Sequence, residues 1–159
     1  MEFTFLEDSI GKLPFSKETL ENQLSYILKD KSHKIDVIFV DSDYIRSLNN
    51  EFRSVDEATD VLSFNSDGEN ESPSEVYISP DYIAKTLGGR EVKRSQLLEE
   101  ILRMVIHGVL HLIGHEHKGY FEYNSDEDSV ESEREEMFVI QEDLLSKLLK
   151  KLQISLKSE

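Results

Sequence analysis

The chain has 159 residues, 38% hydrophobic and 32% charged, which suits one soluble globular domain whose core takes roughly two thirds of the unfolded surface out of water. A formal net charge of −15 excludes a protein that coats nucleic acid indiscriminately, because that mode needs many cations to displace counterions from phosphates. The absence of cysteine excludes disulfides and leaves histidine and carboxylate to hold any transition metal.

The first residues, MEFTFLEDSI, contain neither a basic nor an apolar leader segment, and no stretch is apolar for the roughly 18 residues of a membrane span. A cytoplasmic location without membrane contact is expected. Glu2 to Leu6 reads as a strand, and Ser16 then caps a helix whose apolar positions Leu20, Leu24, Ile27 and Leu28 fall at helical spacing. The β-branched run from Ile35 to Val40, closed by Asp41 and Ser42, is a buried strand. A second helix follows, with Ile45, Leu48 and Phe52 on one side. Asp60 to Phe64 is again strand-like, an acidic loop around Asp67 to Glu71 comes next, and Glu75 to Ser79 is a further strand.

Ser79 and Pro80 open a short helix that Gly88 and Gly89 end. From Ser95 to Ile113, the residues Leu97, Leu98, Ile101, Leu102, Val105, Ile106, Val109, Leu110 and Ile113 cover a broad apolar face, so this helix is expected in the middle of the domain. A last helix begins near Ser132, where Ser132 and Glu135 form a capping-box pattern, and Met137, Ile140, Leu144, Leu148 and Leu152 continue it. The acidic segment 126–136 reads as a surface loop or helix start. Residues 1–159 are therefore expected to form a single α+β domain, with a mixed, mostly parallel sheet of about four strands, a central helix and flanking helices.

Four of the five histidines fall within eleven residues, HGVLHLIGHEH, from His107 to His117 at the end of that central helix, while His33 stands alone. Helix residues four apart share a face, so His107 and His111 can converge on one ion. Gly114 tolerates the positive φ that ends a helix, and the turn can bring His117 to the same ion. Three neutral imidazoles leave the fourth tetrahedral position of zinc open to water, as in catalytic sites, whereas structural sites are closed and usually contain Cys. Such an ion lowers the pKa of bound water to about 7 and polarises a carbonyl or phosphoryl oxygen. Hydrolysis with one Zn2+ per chain is the expected chemistry, although three imidazoles also accept nickel, copper or cobalt. His115 and Glu116 are candidates for supporting a ligand imidazole or substituting for one. A zincin peptidase would read HExxH, with Glu as general base beside the first ligand; Gly108 stands there instead.

The histidine block matches the pattern HGxLHLxGYDH. A second block, LNNEFRSVDEATDVLSF from Leu48 to Phe64, matches LNxxYRxxDxPTDVLSF with Phe52 for Tyr and Ala58 for Pro, and a third, SEVYIS from Ser74 to Ser79, matches GDIxIS. With these three blocks in order over about residues 35 to 150, the chain resembles the YbeY family of bacterial endoribonucleases. The resemblance implies a metalloproteinase-like α+β domain whose central helix bears the metal. It implies a zinc-dependent, single-strand-specific endoribonuclease that acts in ribosomal RNA maturation, at the 16S 3′ end, and in ribosome quality control, with small-subunit ribosomal proteins as partners. It carries the zinc ligands onto His107, His111 and His117, and the family's functional arginine onto Arg53.

A guanidinium at Arg53 could grip a phosphate bidentately and stabilise the charge that grows as phosphorus becomes pentacoordinate, with Thr59 and Asp60 either fixing its loop or simply capping a turn. The chain departs from the pattern in His115-Glu116 for Tyr-Asp and in Glu75 for Asp. Two alternatives stand beside the nuclease: a metal-dependent hydrolase of a peptide or ester, and a ribosome-assembly factor whose metal is mainly structural. In so acidic a chain, RNA binding would draw on a local set of cations such as Lys85, Arg90, Lys93, Arg94 and Arg103, and the attacking nucleophile is either water or the RNA 2′-OH.

Overall fold

The computed structural model describes residues 2–7, 16–28, 33–66, 72–116 and 127–158. The elements follow in the order β1 (Glu2–Glu7), α1 (Lys17–Leu28), β2 (Lys34–Phe39), α2 (Ser42–Arg53), β3 (Val61–Phe64), β4 (Ser74–Ile78), α3 (Pro80–Leu87), a single 3₁₀ turn at Gly89–Glu91, α4 (Arg94–Glu116) and α5 (Glu127–Ser158). The sheet order is β1-β2-β4-β3, with β2 parallel to both β1 and β4, and β3 antiparallel to β4 at the edge. The class is α+β with a mixed sheet, as expected.

Alternation along the strands sorts side chains between two faces of the sheet. Ile35, Val37 and Phe39 of β2 and Val76 and Ile78 of β4 point into the larger core, where they meet Leu20 and Leu24 of α1, Ile83 of α3, the apolar side of α4, and Leu145, Leu148 and Leu152 of α5. The opposite face is covered by α2, whose Ile45 packs with Val40 and Leu62 in a smaller cluster that includes Leu48, Phe64 and Tyr77 at its margin. The central helix α4 lies against β3 and β4 and is backed by α3 and α5. Ile101, Leu102, Val105, Ile106, Val109 and Leu112 are all buried there.

Ser16 caps α1 as expected, Ser79 opens α3 without a side-chain cap bond, and Asp41, expected only to close β2, caps α2. The Ser16 hydroxyl accepts from the Thr19 N–H at 3.1 Å, the Asp41 carboxylate accepts from Tyr44 N–H at 2.7 Å, and Gly88 and Gly89, at φ 131° and 68°, end α3 in a conformation that a Cβ would strain. Two helix boundaries differ from expectation. Helix α4 does not stop at Gly114 but runs on to Glu116, since one interior glycine costs a helix only about 1 kcal/mol against alanine. Helix α5 starts at Glu127, so Ser132 and Glu135 lie within it and not at its start. The expected loop around Asp67 to Glu71 lies outside the described residues.

Candidate metal centre

Helical spacing brings His107 and His111 together on α4. Their rings stand 4.5 Å apart at 73°, and the two Nε2 atoms approach to 2.9 Å. The other nitrogen of His107 is taken by Gln141 of α5, with Nδ1 and Oε1 2.7 Å apart. An amide oxygen only accepts, so Nδ1 of His107 carries the hydrogen and Nε2 presents a lone pair toward His111. That lone pair accepts from the His111 Nε2–H. Two nitrogens at about 2.0–2.1 Å from one tetrahedral zinc ion lie about 3.3 Å apart, so the pair fits such an ion with a small opening of the rings. A bound ion would take the place of the shared proton.

Gln141 was not singled out by the sequence reading. It is only 4% exposed and occupies a core position in the α5 series completed by Leu145, Leu148 and Leu152. A polar residue in an otherwise apolar stripe was the signal that could have found it, because a buried amide needs partners. Its role matches a recurrent one, in which an imidazole that binds metal donates its second N–H to a fixed acceptor that sets tautomer and ring orientation.

Gly108 explains how the helix gets close enough to the sheet. A Cβ built there would lie 2.6 Å from Val76 Cγ1, 3.0 Å from Ser63 Oγ and 3.2 Å from Val61 Cγ2. The Ser63 hydroxyl donates to the Gly108 carbonyl at 3.1 Å and ties α4 to β3. No side chain fits at this position, so a glutamate general base beside the first histidine is sterically excluded.

The remaining expected site residues divide. His115 and Glu116 close α4, while His117 lies outside the described residues. Among the described residues, no three metal-binding side chains come together. Arg53 is the last residue of α2, exposed, and has no hydrogen bond or ion pair among the described residues. Its backbone is held on both sides: Ser54 caps the helix in the left-handed conformation, with its N–H directed to the carbonyls of Asn49 and Asn50. The buried Asn49 amide donates to Glu57 O at 2.9 Å. Helix α2 covers the sheet face opposite α4, so Arg53 approaches the imidazoles only around the edge strand β3.

Thr59 and Asp60 bond to each other at 3.2 Å, and the Asp60 carbonyl accepts from Ser79 N–H at 3.0 Å. These contacts belong to the turn that enters β3. Among the basic candidates, Arg103 is not available to RNA, because it is engaged by Glu99, Glu100 and Glu142 and pins α4 to α5. Burial pulls its pKa down, but hydrogen bonds and attraction from Glu142 and Glu100 outweigh it and hold the guanidinium above its ordinary value. Lys85, Arg90, Lys93 and Arg94 are exposed on or beside α3 and α4.

The fold is α+β, and its central helix presents paired imidazoles from a turn seated on glycine. The family model described as Endoribonuclease YbeY matches residues 7–149. The chain is 37% identical over 131 residues to a protein named Endoribonuclease YbeY from Acholeplasma laidlawii, covering 80% of this chain and 82% of that protein. It is 32% identical over 139 residues to a protein of the same name from Carboxydothermus hydrogenoformans, covering 85% and 92%. A solution structure from Thermotoga maritima superposes with a TM-score of 0.60 at 27% identity, covering 99% of this chain and 95% of that one. The chain belongs to the endoribonuclease YbeY family. Membership places it among RNA-cleaving hydrolases. Among the described residues, no helix is long and apolar enough to cross a membrane.

Proposed function

We propose that this chain is a zinc-dependent endoribonuclease that cleaves single-stranded RNA in the cytoplasm. Its role would be in maturation of the 16S ribosomal RNA 3′ end and in ribosome quality control, in contact with small-subunit ribosomal proteins. The observation that carries the reading is the His107–His111 pair, with Nε2 atoms 2.9 Å apart and the first ring locked from behind by Gln141, in a chain of an endoribonuclease family.

In this reading His107, His111 and His117 hold one ion, and His115 and Glu116 stand beside the third ligand in sequence. Bound there, zinc supplies a Lewis acid for a phosphoryl oxygen and acidifies water. Arg53 grips a non-bridging phosphate oxygen and stabilises the charge that develops in the transition state. Among the described residues it has no ion pair that would have to be broken first, which suits that task. Gly108 supports phosphodiester over peptide cleavage, since the carboxylate base of a zincin has no room beside His107.

The test is metal analysis of the purified chain together with cleavage of an unstructured RNA by the wild type, His111→Ala and Arg53→Ala. One zinc per chain, no cleavage by His111→Ala and a loss of roughly two orders of magnitude in Arg53→Ala are expected. Full cleavage by His111→Ala would overturn the assignment. Product ends decide the nucleophile: a 2′,3′-cyclic phosphate identifies the RNA 2′-OH, and a 5′-phosphate with a 3′-OH identifies water.

A further inference from the structure

The α2 face of the sheet carries four aromatic rings in series. Tyr44 and Tyr77 stand 6.4 Å apart, Tyr77 and Phe64 meet edge to face at 5.7 Å, and Phe64 meets Phe52 edge to face at 5.0 Å. The series is anchored from within. The Tyr77 hydroxyl donates to Glu75 Oε2 at 2.5 Å, and Phe64 is fixed at the end of β3 by pairing with Glu75 of β4.

The series ends in solvent at Phe52, which is 60% exposed. Helical spacing would have put Phe52 on the apolar side of α2 with Ile45 and Leu48, but in the last turn its ring meets Phe64 at the end of the edge strand and stays largely exposed. A lone exposed phenylalanine is ordinary. This one is held in place by a ring behind it, has the exposed Val55 nearby in sequence, and immediately precedes Arg53, a cation with no ion pair among the described residues.

Phe64 follows Ser63, whose hydroxyl reaches the Gly108 carbonyl next to His107. Phe52 is therefore linked to the imidazole pair through two residues of β3.

We propose that Phe52 is a stacking platform for an unpaired base of the RNA substrate, with Arg53 taking an adjoining phosphate, so that the pair selects single-stranded over duplex RNA. This rests on the endoribonuclease reading above and names what that site grips. Bases of a duplex are stacked on one another and cannot offer a face to a side chain, whereas splayed bases stack readily on aromatic rings. The charge balance points the same way. Nearby Arg46 is bound to Asp56 at 2.9 Å, Glu51 and Glu57 flank the site, and the net charge is −15. Counterion release offers this chain little, which leaves neutral stacking to supply a large share of affinity.

The experiment uses the full chain carrying His111→Ala, to prevent cleavage, with a short unstructured oligoribonucleotide containing 2-aminopurine, titrated at several salt concentrations. Binding should quench the aminopurine by stacking. Adding Phe52→Leu should weaken binding about tenfold and abolish the quench while leaving the salt slope unchanged. Phe52→Tyr should retain both, and Arg53→Ala should keep the quench but lower the slope of log K against log salt by about 0.7. Quenched, equally tight binding by Phe52→Leu would overturn the stacking role while leaving the nuclease reading intact, as would unquenched binding by the His111→Ala chain itself. No binding of any unstructured RNA would remove both.

Discussion

The buried Gln141 of α5 and the half-buried His107 of α4 share a 2.7 Å hydrogen bond, 34 residues apart in sequence. It assigns the imidazole its tautomer before any ligand arrives. Gln141→Leu should leave a buried N–H without an acceptor and cost about 1–3 kcal/mol of stability. Zinc affinity, followed by competition with a chromophoric chelator, should drop 10–100-fold. Gln141→Glu keeps the acceptor and should bind zinc at least as tightly as the wild type. Unchanged affinity in the Leu variant would show that the bond plays no part in the metal centre.

Gly108→Ala places a methyl group 2.6 Å from Val76 Cγ1, within a helix that already packs on β3 and β4. Alanine is the better helix former by about 1 kcal/mol, so the sign is informative. The clash is with the buried side of a central strand and should dominate, for a net loss of about 1–3 kcal/mol in urea denaturation. A more stable variant would mean that the helix can move away from the sheet.

Removal of zinc with a strong chelator should abolish RNA cleavage and leave far-UV circular dichroism almost unchanged, because α4 is held by its own apolar face and not by the histidines. Cooperative unfolding on chelation would instead favour the assembly-factor alternative with a structural metal.

Two carboxylates give opposite pH signatures. Burial, and then repulsion from Glu75, raises the pKa of Asp36, and the two acids face each other across β2 and β4. A raised folded-state pKa favours the protonated form, so this contribution is complete below the unfolded pKa and is lost as pH rises through the folded one. Asp36→Asn should therefore be about 0.2–1 kcal/mol more stable than the wild type at neutral pH, a gain that fades in acid.

Asp81 behaves in reverse. Burial raises its pKa, but hydrogen bonds from Ser79, Ser42 and Tyr82 prevail and the net shift is downward. Its contribution is present above the unfolded pKa and lost as pH falls through the folded one. Because Ser42 Oγ and N–H both donate to it across α2 and α3 at 2.7 and 3.0 Å, Asp81→Asn should cost about 1 kcal/mol at pH 7 and progressively less below pH 4.

What the sequence determined by itself was local in origin. The strand and helix order, the Ser16 cap, the Gly88-Gly89 stop and the shared face of His107 and His111 follow from side-chain periodicity and backbone preference, which act over a few residues. The motif blocks made the endoribonuclease family legible from the same string. Only the tertiary structure decided what depends on contacts between distant segments. Gln141 became the partner of His107, Gly108 became the seat of α4 on β3 and β4, and Arg103 was drawn into ion pairs with α4 and α5. Phe52, which periodicity assigned to an apolar side, packs on Phe64 of the edge strand and is left 60% exposed. Burial and partnership are set by which elements pack together, and no residue's immediate neighbours in sequence carry that information.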